Sequence, residues 1–349
     1  MNVTAPSTLA LHEMLRTSMA RTQVHLDEAS AEVASGRHDD MGLALGADTA
    51  RVIDLRGMTD EIDTILHTND LLSSRLSQTQ SSMTAMVALA DGFFETLVAS
   101  RSGGVDRAIV VADARARLEA VTDIVSSTNN GAFIFGGDNT AVRPLEEYYT
   151  EPPTGARLAI HTAFAQEFGF LPDDPQASTI SASRMQSYVT GAFSAHFQAP
   201  VWQAEFSSAS DTAIATRISV TETTESPVSA NSPGVRGLIA AFVAVIDSGT
   251  DALDAEAFDQ LMDTAGSMAR SAGTALVRSQ AEVGVLQDRI KVANDRMTLQ
   301  RNHLAKVSAR AESVDVLEAS SRLTRLIGQL DVSFAVTSRL QQLSILNYL

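Results

Sequence analysis

Near its start the chain carries an apolar stripe at Leu11, Leu15, Ser18, Thr22, Leu26, Ala29 and Val33. Steps of three and four residues bring these positions to one face of an α-helix. The stripe stops at Ser35-Gly36, and a Gly-containing loop, RHDDMGLALGAD, follows. A longer stripe then runs through Leu55, Met58, Ile62, Ile65, Asn69, Leu72, Leu76, Thr79, Met83, Met86, Ala90, Phe93 and Leu97. Steps that alternate between three and four over about six heptads predict a helix paired along a seam. Asn69 and Thr79 interrupt it with polar groups, and a buried Asn on a seam sets register at some cost in stability. Gly103-Gly104 breaks this helix. A third stripe, Val111, Ala114, Leu118, Val121 and Val125, is read as a helix ending at Asn129-Asn130-Gly131.

From about residue 136 to 236 the pattern changes. Every proline except Pro6 falls between Pro144 and Pro233. Apolar and polar residues alternate in Arg157-Leu158-Ala159-Ile160-His161 and again from Ala213 to Val220, which predicts strands separated by turns. The segment reads as an inserted, mainly β domain with Trp202 in its core.

Helical spacing returns near Leu238. A heptad-like stripe follows at Val283, Leu286, Ile290, Ala293, Met297, Gln300, Leu304, Val307, Ala311 and Val314. Its phase breaks between Ser313 and Leu317, which predicts a joint. A last stripe, Leu323, Leu326, Ile327, Leu330, Phe334, Leu340, Leu343 and Leu346, runs on to a terminal Leu349 with no polar cap. Chain ends ordinarily fray into polar residues, so this apolar face needs a cover. The textures are symmetric about the insert, and the simplest fold is a hairpin. The first helix covers the last, the two long middle sections pair antiparallel, and the insert forms the tip. At 1.5 Å per residue the middle section would exceed roughly 60 Å. The fold class predicted is therefore mainly α: an elongated antiparallel coiled-coil rod made from both chain ends, with an inserted mainly β tip. Its parts are residues 1–35 with 316–349, residues 36–135 with 237–315, and residues 136–236.

Composition narrows the function. The 349 residues carry 42 acidic against 26 basic side chains, a net charge of −16, which disfavours nucleic acid and anionic membrane surfaces. There is no cysteine, hence no disulfide and no thiolate chemistry. The start, MNVTAPSTLALHEMLRT, lacks the basic and apolar regions of a Sec signal peptide. The longest apolar run, Leu238 to Ile246, is too short to span a bilayer. Arg37-His38-Asp39-Asp40 is the densest polar cluster, but one His beside two Asp has no recognised ligand spacing and reads as a solvated loop. Phe135-Gly136-Gly137-Asp138-Asn139 lacks the Lys of a phosphate loop and reads as a turn. Leu171 to Pro175 reads as another. No catalytic, cofactor or metal residues are assigned, and the chain is read as no enzyme.

Both ends resemble the bacterial flagellin family. LDEASAEVASGRHDDMGLALGADTARVIDLR resembles its N-terminal signature, a Ser-Gly break between two helices. LDVSFAVTSRLQQLSILNYL resembles its C-terminal helix, and AESVDVLEASSRLTRL its acidic joint, with Glu312 and Asp315 at the acidic positions. TNNGAFIFGGDNTAVRPL is similar to the entry into the tip domain of the family's hook–filament junction members, the third hook-associated proteins. Val228-Ser229-Ala230-Asn231 with Gly234-Val235-Arg236 resembles the return from the insert in alphaproteobacterial relatives. FFETLVASRSGGVDRAIV lacks the pattern many enteric flagellins carry at their innate-receptor surface, so that recognition is not carried over.

The resemblance implies a structural axial subunit of the extracellular flagellum. Leu11, Leu15, Leu26, Val33, Leu323, Leu326, Leu330, Phe334, Leu340, Leu343, Leu346 and Leu349 would form the assembly interface. Leu55, Ile62, Ile65, Leu72, Leu76, Met83, Met86, Leu286, Ile290, Met297 and Leu304 would form the internal seam. Expected partners are further copies in a ring, the neighbouring hook-associated protein, flagellin, a cytoplasmic export chaperone and the flagellar type III export apparatus. Filament flagellin and a secreted coiled-coil adhesin or type III secreted protein stay open as alternatives.

Overall fold

The computed structural model describes residues 8–149 and 155–346, with the backbone alone for residues 8, 9, 11, 12 and 340–346. It divides into two compact units. One holds residues 1–63 and 298–349, the other residues 64–297.

Helix α1 spans Thr8–Ser35, and a short helix α2, Met41–Leu45, follows it. The long helix α3 covers Thr49–Arg101, and α4 covers Arg107–Val125. Asp106 caps α4 by accepting from the Ala108 amide at 3.1 Å, which satisfies one of the orphan donors of a helix start. Between α3 and α4, Gly103 sits at φ +75°, a conformation that favours glycine. Helix α9, Ala255–Glu312, and helix α10, Val316–Leu346, meet at a three-residue break, where the phase of the stripe shifts.

Most positions of the α3 stripe are buried or half-buried, but Met58 is 50% exposed. In the larger unit Ile65, Leu76, Met83 and Met86 are buried, as are Leu286, Ile290 and Met297 of α9, while Leu72 is half-buried. In the smaller unit Ile62 is buried and Leu55 and Leu304 are half-buried. Polar contacts set the register. Asn69 Nδ2 donates to Asn294 Oδ1 at 2.6 Å, Gln287 Nε2 to Ser77 Oγ at 3.3 Å, and Gln280 Nε2 to Thr84 Oγ1 at 2.9 Å. As the α3 number climbs the α9 number falls, so the pairing is antiparallel. Asn69 is fully buried and its Nδ2 also reaches the Ile218 carbonyl at 2.8 Å. An 18-residue stretch of the 41–101 helical region is apolar and long enough to cross a membrane by composition. An uninterrupted-run criterion misses such a stretch. Met83, Met86, Ala90, Phe93 and Leu97 of α3 are at most 1% exposed and belong to the seam, while 28% of the whole stretch is buried.

Asn130-Gly131 does more than end a helix. Both residues have positive φ, 51° and 81°, and they turn a hairpin between β1, Thr128–Asn129, and β2, Ala132–Phe133. Asn-Gly is the preferred pair for such a turn.

The insert departs further from expectation. Residues 157–161 are not a strand; they lie in α5, Gly155–Phe168. Leu158 and Ile160 alternate, but Ala156, Ile160, Ala163 and Phe164 are the buried set. That is a helical period, hidden because a five-residue window satisfies both templates. Helices α6, Ala182–Tyr188, and α7, Val201–Glu205, follow. β structure is present as one antiparallel hairpin, β3 Ala215–Ser219 with β4 Glu222–Glu225. More of the insert is therefore helix than strand. Trp202 is buried, stacked on Phe206 at 4.9 Å, and donates to Asn231 Oδ1 at 2.8 Å. The insert's exit and return are stitched together where the Ala230 amide donates to the Phe135 carbonyl at 2.8 Å. Helix α8, Pro233–Ile246, is buried almost throughout. At its end Asp247 accepts from Tyr148 Oη at 2.7 Å and lies 3.0 Å from His161 Nε2. Burial, with Asp247 adding to it, pushes the Tyr148 phenol well above its usual pKa.

Candidate functional site

In the smaller unit, α1 and α10 pack along each other. Leu15, Leu26 and Val33 of α1 and Leu323, Leu326 and Leu330 of α10 are half-buried between them. Ala29 and Ala319 are fully enclosed at the close approach. Thr337 Oγ1 lies 3.7 Å from Met19 Sδ. Phe334 behaves differently. It is 52% exposed, with Ile327, Val332 and Val336 of the same helix also exposed and Met14 and Val24 exposed on α1. The stripe of α10 is wider than one partner covers. The side chains of Leu11, Leu340, Leu343 and Leu346, and the whole of Leu349, lie outside the described residues.

The break after α1 and the break before α10 form one joint. Arg37 and Ser313 pair as an antiparallel bridge. The His38 amide donates to the Glu312 carbonyl at 3.1 Å, and the Val314 amide to the Gly36 carbonyl at 3.0 Å. Gly36 has φ +70°, so the chain reverses out of α1 and lies against the end of α9 at once. The two local irregularities satisfy each other's backbone groups, which neither helix end could do alone.

Glu312 is the centre of this joint, with a side chain only 4% exposed. Its Oε1 accepts from Arg56 Nε at 3.0 Å, Arg56 Nη2 at 2.7 Å and Ser308 Oγ at 2.7 Å. Arg37 Nη1 stands 3.3 Å from Oε2. Burial by itself raises the carboxyl, but Ser308, Arg56 and Arg37 together outweigh it and hold Glu312 below the usual carboxylate range. A second carboxylate, Glu32, is also buried. It meets Arg322 of α10 at 3.1 Å and His38 at 3.4 Å, tying α1 to α10. Asp315 caps α10 by accepting from the Leu317 amide at 2.9 Å.

Three residues of the cluster at 37–40 find a role here. Arg37 and His38 serve the joint, and Asp40 caps α2 by accepting from the Leu43 amide at 2.9 Å. Among the described residues no group of three or more His, Asp or Glu is placed to hold a metal ion. The two buried carboxylates of the joint, Glu312 and Glu32, are held by cations and, for Glu312, by a hydroxyl as well, so its chemistry is that of a clamp. Sequence reasoning singled out Glu312 and Asp315 but not Arg56, Glu32 or Arg322. Glu32 sits in the phase of the first stripe, between Ala29 and Val33, and a carboxylate there signals a buried ion pair. Arg56 leaves no such mark.

Comparison with known proteins bears on this arrangement. Residues 7–140 match the description "Bacterial flagellin N-terminal helical region" and residues 267–349 "Bacterial flagellin C-terminal helical region". Both halves of the joint thus fall inside matched segments. A solved structure described as a putative flagellar hook-associated protein from Vibrio parahaemolyticus overlays with a TM-score of 0.39 at 10% identity. The overlay covers 77% of this chain and 94% of that one. No curated protein sequence matches the chain.

Proposed function

We propose, from the premise that this chain belongs to the bacterial flagellin family, that it is the subunit joining hook to filament. It is a structural protein of the flagellum, as the family is. The observation that carries an assembly role is the α1–α10 pair, on which Ile327 and Phe334, seven residues apart, stay exposed on one side of α10 and Val332 and Val336 on another. Apolar side chains that a packed helix pair leaves uncovered are what a subunit offers its neighbours. The contact is heterologous, one face meeting a different face, and such contacts generate rings or helical tubes.

The terminal parts, residues 1–35 and 316–349, line the tube core in this reading. Residues 36–135 with 237–315 carry the paired long helices, and 136–236 the insert. The terminal positions from Leu11 to Leu349 named above are the assembly contacts, and the α3 and α9 seam is internal support. The junction role, as against a filament role, is supported by the segment from Thr128 to Leu145, which resembles the junction members' passage into the insert. In the structure this passage is tight. A Cβ on Gly136 would lie 2.6 Å from the Asn139 carbonyl oxygen, and one on Gly137 2.4 Å from that of Ser210, so both glycines are demanded by packing. The family further suggests export through the flagellar type III apparatus with a cytoplasmic chaperone on α10, the helix-in-groove mode suiting its stripe. Neighbours would be a ring of copies, another hook-associated protein and flagellin.

Disruption of the gene followed by electron microscopy tests this. Hooks without filaments, with flagellin shed into the medium, are expected. Filaments still attached to hooks would refute the junction role, and an unaffected flagellum would refute both.

A further inference from the structure

Helix α9 carries apolar residues on two faces. One is the buried seam. On the opposite face Val277, Val285 and Val292 are 50%, 62% and 63% exposed. Steps of eight and seven residues keep them in one row. A single exposed valine is ordinary, but a row at helical period marks a contact surface. Arg278, directly after Val277, and Arg296, four residues after Val292, stand near the two ends of the row. Both are exposed, and neither has an ion-pair partner among the described residues.

Helix α3 offers a complementary face. Asp70 and Asp91 are exposed on it, also without ion-pair partners among the described residues. Between them stand Ser81 and Ala88, also exposed and small enough to admit valine side chains. The polar pairs Asn69–Asn294, Ser77–Gln287 and Thr84–Gln280 calibrate height along the two helices. On that scale Arg296 stands about level with position 67 and Arg278 about level with position 86. Asp70 and Asp91 lie beyond these levels by about three and five residues, both in the same direction. At 1.5 Å per residue, one axial stagger of about 6 Å brings both carboxylates opposite both guanidiniums.

The geometry points to an interface between copies: the α9 valine row with Arg278 and Arg296 of one subunit docks on the α3 face of a second copy, between Asp70 and Asp91. The two faces differ, so each copy donates one and accepts on the other, and the contact need not close on itself. This inference rests on the reading that the chain self-assembles, and it adds a lateral surface outside the terminal helices.

The chain has no cysteine, so introduced thiols report unambiguously. Full-length Arg296→Cys and Asp70→Cys proteins, each carrying one thiol, are mixed under assembly conditions, oxidised and analysed by mass spectrometry. Mixed 296–70 disulfides should predominate. Like-with-like disulfides alone, or no cross-link above that of an Arg296→Cys and Gln186→Cys mixture, would overturn the interface. In parallel, Val285→Glu/Val292→Glu should melt like wild type and raise the critical concentration for assembly by at least about tenfold. Wild-type assembly by that variant would also overturn it. If wild-type protein does not assemble at all, the assembly reading fails first, so the two failures are separable.

Discussion

Replacing Glu312 with Gln keeps the shape of the side chain and removes its charge. In the structure one carboxylate oxygen takes three hydrogen bonds, two from Arg56 and one from Ser308, and the other oxygen faces Arg37. Hydrogen bonds to a charged group are worth about 1.5–3 kcal/mol each when buried. The full sum does not apply, because Arg37 and Arg56 are 58% and 54% exposed and can return to water. The carboxylate is the buried partner, so the loss should be about 2 kcal/mol, below the 3–5 kcal/mol of a fully buried pair broken on one side. Hydrogen exchange gives the local readout. The His38 and Val314 amides cross the joint, and a 2 kcal/mol loss accelerates their exchange about 30-fold through local opening. The sign of the pH dependence is fixed too. Glu312 has a folded pKa below its ordinary value of 4.5, so its contribution is complete above that value and fades as pH falls through the lower one. The ratio of variant to wild-type exchange should therefore shrink towards one in acid. Unchanged protection of both amides at neutral pH, or a ratio that grows on acidification, would refute the clamp.

Asn69→Ala strips a partner from the Ile218 carbonyl and from Asn294. It should cost about 1–3 kcal/mol in urea unfolding, and combined with Asn294→Ala the costs should not add. Gly137→Ala places a methyl 2.4 Å from the Ser210 carbonyl oxygen at φ +65°, so a melting temperature lowered by at least several degrees is expected. Phe334→Ser alters a side chain already half in water. It should leave monomer stability within about 0.5 kcal/mol while weakening incorporation into flagella. Deleting residues 340–349 should leave the fluorescence of Trp202, the sole tryptophan, unchanged and abolish incorporation, and normal filaments on such cells would contradict the role given to α10.

Long-range periodicity was enough to read the helices, because a seam sustained over many turns has a single geometric solution. The buried seam on α3 and α9, the break at Ser35-Gly36 and the joint near Ser313 all follow from where a period holds or lapses. Short windows failed. Five alternating residues around Ile160 fit a strand, and the burial of Ala156, Ala163 and Phe164 decided for helix. The hairpin at Asn130-Gly131 carried a usable signal in its dipeptide, obscured by the helix that precedes it.

By itself, then, the sequence determined which faces must be hidden, since burial of apolar surface depends on period and composition alone. Tertiary structure decided what hides them and at what polar cost. Glu312 meets Arg56 across 256 positions of chain, and Glu32 meets Arg322 across 290. No local rule relates residues so far apart. It also decided which side chains stay uncovered: Phe334 shares its stripe with Leu330, yet only the packing of α1 against α10 separates a contact within one subunit from one left for the next.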